Sequence, residues 1–583
     1  MDSFPRSGRH AVPARARCVL QLGALCILLG LAACRSTHVP PATVPTAPAV
    51  VVAAHPLAVD AGTAVLARGG SAMDAALAVQ LMLGLVEPQS SGIGGGAIIM
   101  AYDARSGRVD AYVGREKAPA SASPAMFNDA SGKPLPASRA MLGGRATGVP
   151  ATLSVFALAL RDHGHLPWSA LFDDTIAAAG HGFTVTPRLA RHIQGTFPQA
   201  DAPDVRAFFT DAQGQPLQAG DTLRNPAYAA TLQALAAGGP EAFYRGDLAR
   251  AIVARTRQPP LPGGMTEQDL AGYEAEKTAP LCRPLKQYRL CVPPPPTSGV
   301  GLLQLMALLE TTDIDARGPH DPQAWLLFAE ASRIMYADRD QYVGDPRFVP
   351  VPVEGLLAPD YVRSRARMIG DRAAAGAPAP GVPAGARAGA ADRTDEPGGT
   401  SHFVVVDRAG NAVSVTTTIE SYFGSGRMVG GFFLNNQLTD FAWDPGHGRP
   451  GMANAIAPGK RPRSSMTPAL LLDADGRLAG AIGSPGGSSI PAYVAKTLVG
   501  LVDWRMSLPD AIALPNLVAR GARFDGEAAR FEPTVRERLR ARGIDVRPGA
   551  GEDSGLHGIF LRDGRWESAA DPRREGTFAH PAT

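Results

Sequence analysis

The stretch GGTSHFVVVDRAGNAVSVTTTIESYFGSG at 398–426 constrains this chain more than any other. Residues 401–407 and 412–418 are rich in β-branched side chains that alternate with others, and a Gly/Asn turn separates them, which predicts a β-hairpin. Folding the chain about Ala409 sets Thr418 opposite Thr400, so one hydroxyl lies beside another at the open end of the hairpin. Glu420 and Ser421 follow at that same end. Thr400 itself ends a tract of Ala, Gly and Pro, which makes Gly399–Thr400 a candidate self-cleavage bond. Once cut, Thr400 carries a hydroxyl nucleophile and a free α-amine. Such an amine titrates at about 7.7–8.0 and can serve as a general base where a lysine amine stays charged. The same string also reads as a hairpin with no chemistry, so the rest of the chain must decide.

Other strings stand out along the chain. They are GGSAMDAALAVQLMLGLVEPQSSGIGGG at 69–96, GREKAP around Arg115, PPPPTSG at 293–299 and ADRDQYVGDPRF at 337–348. FLNNQLTDF at 433–441, GKRPRSSMTP at 459–468, GSPGG at 483–487 and ADPRR at 570–574 follow the hairpin. Together they resemble the γ-glutamyltransferase (glutathione hydrolase) family of the N-terminal-nucleophile hydrolases, along nearly the whole mature chain. The resemblance implies an α+β fold, a four-layer αββα sandwich shared by two subunits cut from one precursor. It implies no metal and no organic cofactor.

The chemistry also follows from residue types. A γ-glutamyl donor has an α-carboxylate and an α-ammonium at one end and an amide at the other. Arg115 suits the carboxylate, because a guanidinium forms a planar bidentate fork. Asp440 suits the ammonium, with Gln437 adding a carbonyl acceptor. Glycines admit backbone N–H groups close to an oxyanion, and the resemblance assigns that role to Gly486 and Gly487. It assigns carboxylate binding and closure of the site to Ser464 and Ser465. Thr400 would attack Gly399 in maturation, and then the γ-glutamyl amide. Water or an amino acid or peptide acceptor would resolve the resulting ester.

Two departures bear on substrate. Glu420 stands where many γ-glutamyltransferases carry Asn; it too can bind an ammonium. The segment AWDPGHGRPGM is short and lacks a tyrosine where some members carry a longer lid. The alternatives are therefore a poly-γ-glutamate depolymerase, a β-lactam side-chain acylase, or an inactive lipoprotein scaffold built on the same fold.

The amino terminus addresses the protein. Arg6, Arg9, Arg15 and Arg17 precede the apolar run 18–33, which is shorter than the stretch of about 20 residues that spans a bilayer. Leu31-Ala32-Ala33-Cys34 resembles a lipoprotein signal with lipid on Cys34, and Arg35 carries no inner-membrane retention cue. The expectation is a signal at 1–33, a tether at 34–50 and a lipid-anchored enzyme in the bacterial periplasm, on the outer membrane. Of five cysteines, Cys282 and Cys291 remain; they face each other across a short hairpin and predict a disulfide in an oxidising compartment.

Lys+Arg 57 against Asp+Glu 54 gives no basic excess that would predict nucleic-acid binding. The large subunit is expected at 51–399 and the small one at 400–583, forming one heterodimeric domain. Residues 371–399 lack an apolar period and read as a mobile tail. Helices are expected at 71–86, 152–163, 226–237 and 322–340, and further strands at 97–102, 108–113, 468–473 and 478–482. His402, two residues after the nucleophile, is expected to share its face in a structural role.

Overall fold

A computed structural model describes residues 47–392, 394–442, 451–549 and 554–582. The proposed signal peptide and Cys34 lie outside the described residues, as does most of the short segment expected as a reduced lid, 443–450.

The strands that build the body are β1 Val50–Ala53, β2 Gly96–Asp103, β3 Arg108–Gly114, β4 Glu276–Thr278, β5 Leu281–Leu285, β6 Tyr288–Val292 and β7 Gly399–Val406. They continue with β8 Ala412–Glu420, β9 Ala469–Leu472, β10 Leu478–Gly483, β11 His557–Arg562, β12 Arg565–Ala570 and β13 Thr577–Ala579. One antiparallel sheet has the order β13-β1-β7-β8-β2-β3-β4, and the other β12-β11-β10-β9-β6-β5. The principal helices are α1 Pro56–Ala67, α2 Ala72–Val86, α3 Thr152–His163, α4 Gly299–Leu309, α5 Pro322–Tyr342 and α6 Ile490–Leu498.

Three apolar layers result. Alternate residues of β7 divide between two of them: Phe403 and Val405 pack with α1–α3 on the outer face of the first sheet. Val404 and Val406 face inward and meet Leu470, Ala481 and Ile559 of the second sheet. Leu471 and Ile482 turn the other way, onto α4, α5 and α6. Period-two patterning on both sheets, with helices outside, yields the αββα arrangement that the resemblance implies.

The hairpin tip is fixed by Asp407. Its Oδ1 accepts the N–H groups of Ala409 (2.9 Å) and Asn411 (3.0 Å), and Oδ2 accepts the Ala72 N–H (3.0 Å) at the start of α2. Ser71 caps α2, accepting the Asp74 N–H at 3.1 Å. The expected disulfide Cys282–Cys291 is present, joining β5 to β6.

Two expectations change. The tether was expected to run through residue 50, but Ala47 is buried and Val50 already pairs with Val406, because the β-branched run completes the sheet edge of β7. The tract 371–399, expected as a mobile tail, has no helix or strand before Gly399 among its described residues, yet α5 pins it. Asp338 accepts the Gly381 N–H (2.8 Å), Glu330 accepts the Ala374 N–H (3.1 Å), and Arg333 donates to Ala374 O (3.1 Å). Its missing apolar period is thus offset by polar anchoring of the backbone.

Candidate active site

Thr400 is the second residue of β7 and Thr418 lies directly opposite on β8. The register then shifts between Thr418 and Glu420, so Glu420 pairs with Gly399. Glu420 takes a left-handed backbone with φ of +79°. The bulge brings backbone onto backbone: a Cβ at Gly399 would lie 2.2 Å from Glu420 O, so only glycine fits before the nucleophile.

The hydroxyls form a chain. Thr400 Oγ1 donates to Thr418 Oγ1 at 3.2 Å, and Thr418 Oγ1 donates to the Gly399 carbonyl at 2.6 Å. The Glu420 N–H donates to Thr418 Oγ1 at 2.8 Å. Thr418 therefore orients the nucleophile and polarises the bond it would attack. Arg574 holds the other side, donating to Thr400 O at 3.1 Å.

Around this pair the chain closes a residual cavity of about 10 Å³, walled by Arg115, Glu396, Pro397, Glu420, Gln437, Asp440, Ser464 and Gly487 among others. Arg115 and Asp440, expected to hold the α-carboxylate and the α-ammonium of a donor, are bonded to each other at 2.5 Å. Arg115 also donates to Arg463 O (2.7 Å) and Pro462 O (3.3 Å), and Gln437 Nε2 donates to Asp440 Oδ2 (2.5 Å). A buried guanidinium takes the nearest acceptors, and in the uncut chain Asp440 is one of them.

Burial pushes the Asp440 carboxyl up to about 6 even though the Arg115 charge favours its ionised form. Burial, with the Asp440 charge beside it, pushes Glu420 well above the usual carboxylate range. Glu420 accepts a short hydrogen bond from Ser421 Oγ, and Asn436 holds Ser421 from both sides, accepting its N–H (3.0 Å) and donating to its Oγ (2.9 Å).

Ser465 accepts from Arg339 at Oγ (2.5 Å), whereas Ser464 lines the cavity with its N–H bonded to Pro296 O (2.9 Å). Gly487 reaches the cavity wall with φ of +53°, and a Cβ there would lie 2.1 Å from Glu396 O and 2.4 Å from Pro397 O. Gly486 stands behind it, against the Tyr493 ring. His402 shares the inward face with Thr400; its Nδ1 lies 2.9 Å from Thr416 Oγ1 and its ring packs on Gly483, away from the cavity.

Sequence reasoning missed Glu396, Arg339 and Arg463. Two of them sit inside quoted motifs, ADRDQYVGDPRF and GKRPRSSMTP. Glu396 was visible as the last of three acids, after Asp392 and Asp395, that close the tract.

The gamma-glutamyltranspeptidase family profile matches residues 58–580. The chain is 38% identical to a glutathione hydrolase proenzyme of Bacillus subtilis (strain 168), over 80% of each chain. It is 36% identical to an acylase ACY 1 proenzyme of Pseudomonas sp. (strain V22), over 91% of this chain and 92% of that one. Among solved structures, the cephalosporin acylase from Bacillus halodurans superposes with a TM-score of 0.78 at 26% identity, covering 93% of this chain and 98% of that one. With a profile match that runs from within α1 to beyond the last strand, the chain belongs to the gamma-glutamyltranspeptidase family.

Proposed function

We propose that the chain is a self-cleaving γ-glutamyltransferase and hydrolase acting on γ-glutamyl amides such as glutathione. The observation that carries this reading is the hydrogen-bonded chain Thr400–Thr418–Gly399 O at the wall of a buried cluster holding Arg115, Asp440, Gln437 and Glu420.

In maturation, Thr400 Oγ adds to the Gly399 carbonyl carbon, and Thr418 donates to the oxygen as it becomes an oxyanion. The Gly399–Thr400 C–N bond breaks, the nitrogen takes a proton, and the acyl group rests on Oγ as an ester. Water cleaves the ester, leaving Gly399 as a carboxylate and Thr400 with a free amine. In the mature enzyme that amine accepts the hydroxyl proton while Oγ attacks the γ-glutamyl carbonyl. The leaving amine takes the proton, and water or an amino acid or peptide then releases the γ-glutamyl group. The products of maturation stay together as a heterodimer of large and small subunits.

Intact mass and γ-glutamyl-anilide turnover of wild type beside Thr400→Ala test this. Splitting at Gly399–Thr400 with turnover, both lost in the variant, is the expected result. An active but uncut wild type refutes it.

The similarity to acylases favours a second reading, deacylation of β-lactam side chains. A glutaryl donor lacks the α-ammonium that Asp440 and Glu420 would bind, so equal turnover of glutaryl and γ-glutamyl donors would support the acylase. We also place the enzyme at the bacterial outer membrane, facing the periplasm, through lipid on Cys34. Leu31-Ala32-Ala33-Cys34 supports this, and the Cys282–Cys291 disulfide suits an oxidising compartment. Fatty-acid labelling that survives Cys34→Ala would exclude it.

A further inference from the structure

Thr400 and Ser401 are neighbours on β7, so their side chains leave on opposite faces of the sheet. Thr400 faces the cavity. Ser401 turns the other way, fully buried, and its Oγ donates to Glu87 Oε2 at 2.7 Å. Glu87 stands at the end of α2 and is buried as well; its other oxygen pairs with the guanidinium of Arg188, on the helix Pro187–Ile193. The Arg188 N–H donates to Glu575 Oε1 at 2.8 Å, and the residue before Glu575 is Arg574, which donates to Thr400 O at 3.1 Å. These contacts close a ring that runs from Thr400 through Ser401, Glu87, Arg188, Glu575 and Arg574 back to Thr400.

The cut at Gly399–Thr400 divides this ring: Glu87 and Arg188 lie before it and the rest lie after. It also changes what holds the nucleophile. In the uncut chain Thr400 is fixed on its amino side by Gly399, whose carbonyl accepts from Thr418 Oγ1 at 2.6 Å. Afterwards Thr400 is a chain end, and chain ends fray unless they are tied down. Strand pairing there is one-sided among the described residues. β8 runs beside Thr400 and Ser401, but β1 meets β7 only at Val404, Val405 and Val406. The Ser401–Glu87 bond is next to the new terminus and crosses from one product to the other, and a hydrogen bond to a buried carboxylate is among the stronger ties a hydroxyl can make.

We propose that Glu87 is a positioning residue of the mature enzyme: through Ser401 it holds the first strand residues of the small subunit, keeping the Thr400 hydroxyl and α-amine aligned once the peptide bond no longer does so. This rests on the self-cleavage proposed above. Glu87 touches no reacting atom. Before the cut its bond is redundant, since the continuous chain already fixes Thr400. After the cut, the large subunit supplies through Glu87 the restraint that Gly399 gave up.

Ser401→Ala tests this, because it removes the bond and leaves Glu87 its pairing with Arg188; Glu87→Ala would strip a carboxylate from a buried guanidinium and endanger the fold. The half-life of the uncut chain should change less than about threefold, as the bond is redundant there. Loss of a charged hydrogen bond, felt as misalignment, should lower kcat on γ-glutamyl-anilide roughly 10–100-fold at a KM within about threefold of wild type. Equal slowing of maturation and turnover marks a merely structural bond and overturns the proposal, as does an unchanged kcat. A further measurement needs no turnover. Acetylation of the Thr400 α-amine by an N-hydroxysuccinimide ester, read from the mass of the small subunit's first peptide, should run at least about tenfold faster in the variant. Equal labelling overturns the anchor. A wild type that is cut, inert on γ-glutamyl-anilide and still labelled more slowly than the variant sinks the γ-glutamyl reading and leaves Glu87 its role. A wild type that stays uncut has no free terminus and overturns both.

Discussion

Thr418 Oγ1 stands between the nucleophile and the bond it would break: it accepts from Thr400 Oγ1 at 3.2 Å and gives its own proton to Gly399 O at 2.6 Å. One hydroxyl thus aligns the attack and stabilises its charge. Thr418→Val keeps the shape and removes the donor, so self-cleavage should slow by roughly 10²–10³, the usual cost of one oxyanion donor. Thr418→Ser should stay much nearer to wild type. The half-life of the uncut band, followed by mass, reads the difference. Equal half-lives for Val and wild type would exclude the role.

Asp440 titrates within reach of ordinary assays, because burial pushes its carboxyl up to about 6. An acid with a raised pKa is ionised above that value and neutral below it. The attraction for a donor ammonium is therefore present above pH 6 and lost as pH falls through it. The expected kcat/KM for a γ-glutamyl donor falls about tenfold for each pH unit below 6. Asp440→Asn should erase that limb. A limb that persists in the variant belongs to another group.

Gly487 touches the tail through backbone. A methyl there would meet Glu396 O at 2.1 Å and Pro397 O at 2.4 Å, and the position has φ of +53°. Neither obstacle can rotate away as a side-chain tip would. Gly487→Ala should therefore misplace the scissile bond and slow maturation by roughly tenfold or more, as strain of this kind costs on the order of 1–3 kcal/mol. Circular dichroism that matches wild type, alongside accumulation of uncut chain, is the expected pair of results. Normal processing would contradict the contact.

Acid stability should carry the mark of a buried histidine. Burial lowers His557 to about 4, and His402 beside it is lowered well below its ordinary value for the same reason. Both are neutral in the fold, whereas an unfolded histidine binds a proton below about 6.5. Stability is thus fully present above 6.5 and declines as pH falls from there towards 4, by up to about 1.4 kcal/mol per pH unit for each histidine. Urea midpoints of the uncut Thr400→Ala chain between pH 7 and 4 would show this, with a flatter slope in His557→Gln. An unchanged slope would assign the loss elsewhere.

The hairpin was legible because alternation and turn chemistry are local, and the pairing of Thr418 with Thr400 follows from the turn alone. Helices such as 72–86 and 152–163 were legible through their apolar patterning. The pairing of Arg115 with Asp440 was not. Those residues are 325 apart in sequence, and each has chemistry that suits a substrate as well as it suits the other. Glu396 escaped for a related reason: its partners Arg339 and Ser465 lie 57 and 69 residues away, in motifs whose order is readable but whose approach in space is not. The polar anchoring of 371–399 is likewise silent in composition, since a tract without apolar period can be held by its backbone.

The first sheet has a consequence for the life of the molecule. From one edge its strands are β13, β1, β7, β8, β2, β3 and β4. A cut at Gly399 assigns β13, β7 and β8 to the small product and the rest to the large one, so each fragment runs through the other's sheet. Before the cut, folding is a first-order event within one chain. Afterwards, any unfolding would release two fragments, and recovery would require them to meet again at a rate and yield set by concentration. The broken peptide bond thus makes assembly a one-way event: a denatured precursor can return on its own, while a denatured mature enzyme depends on finding its other half.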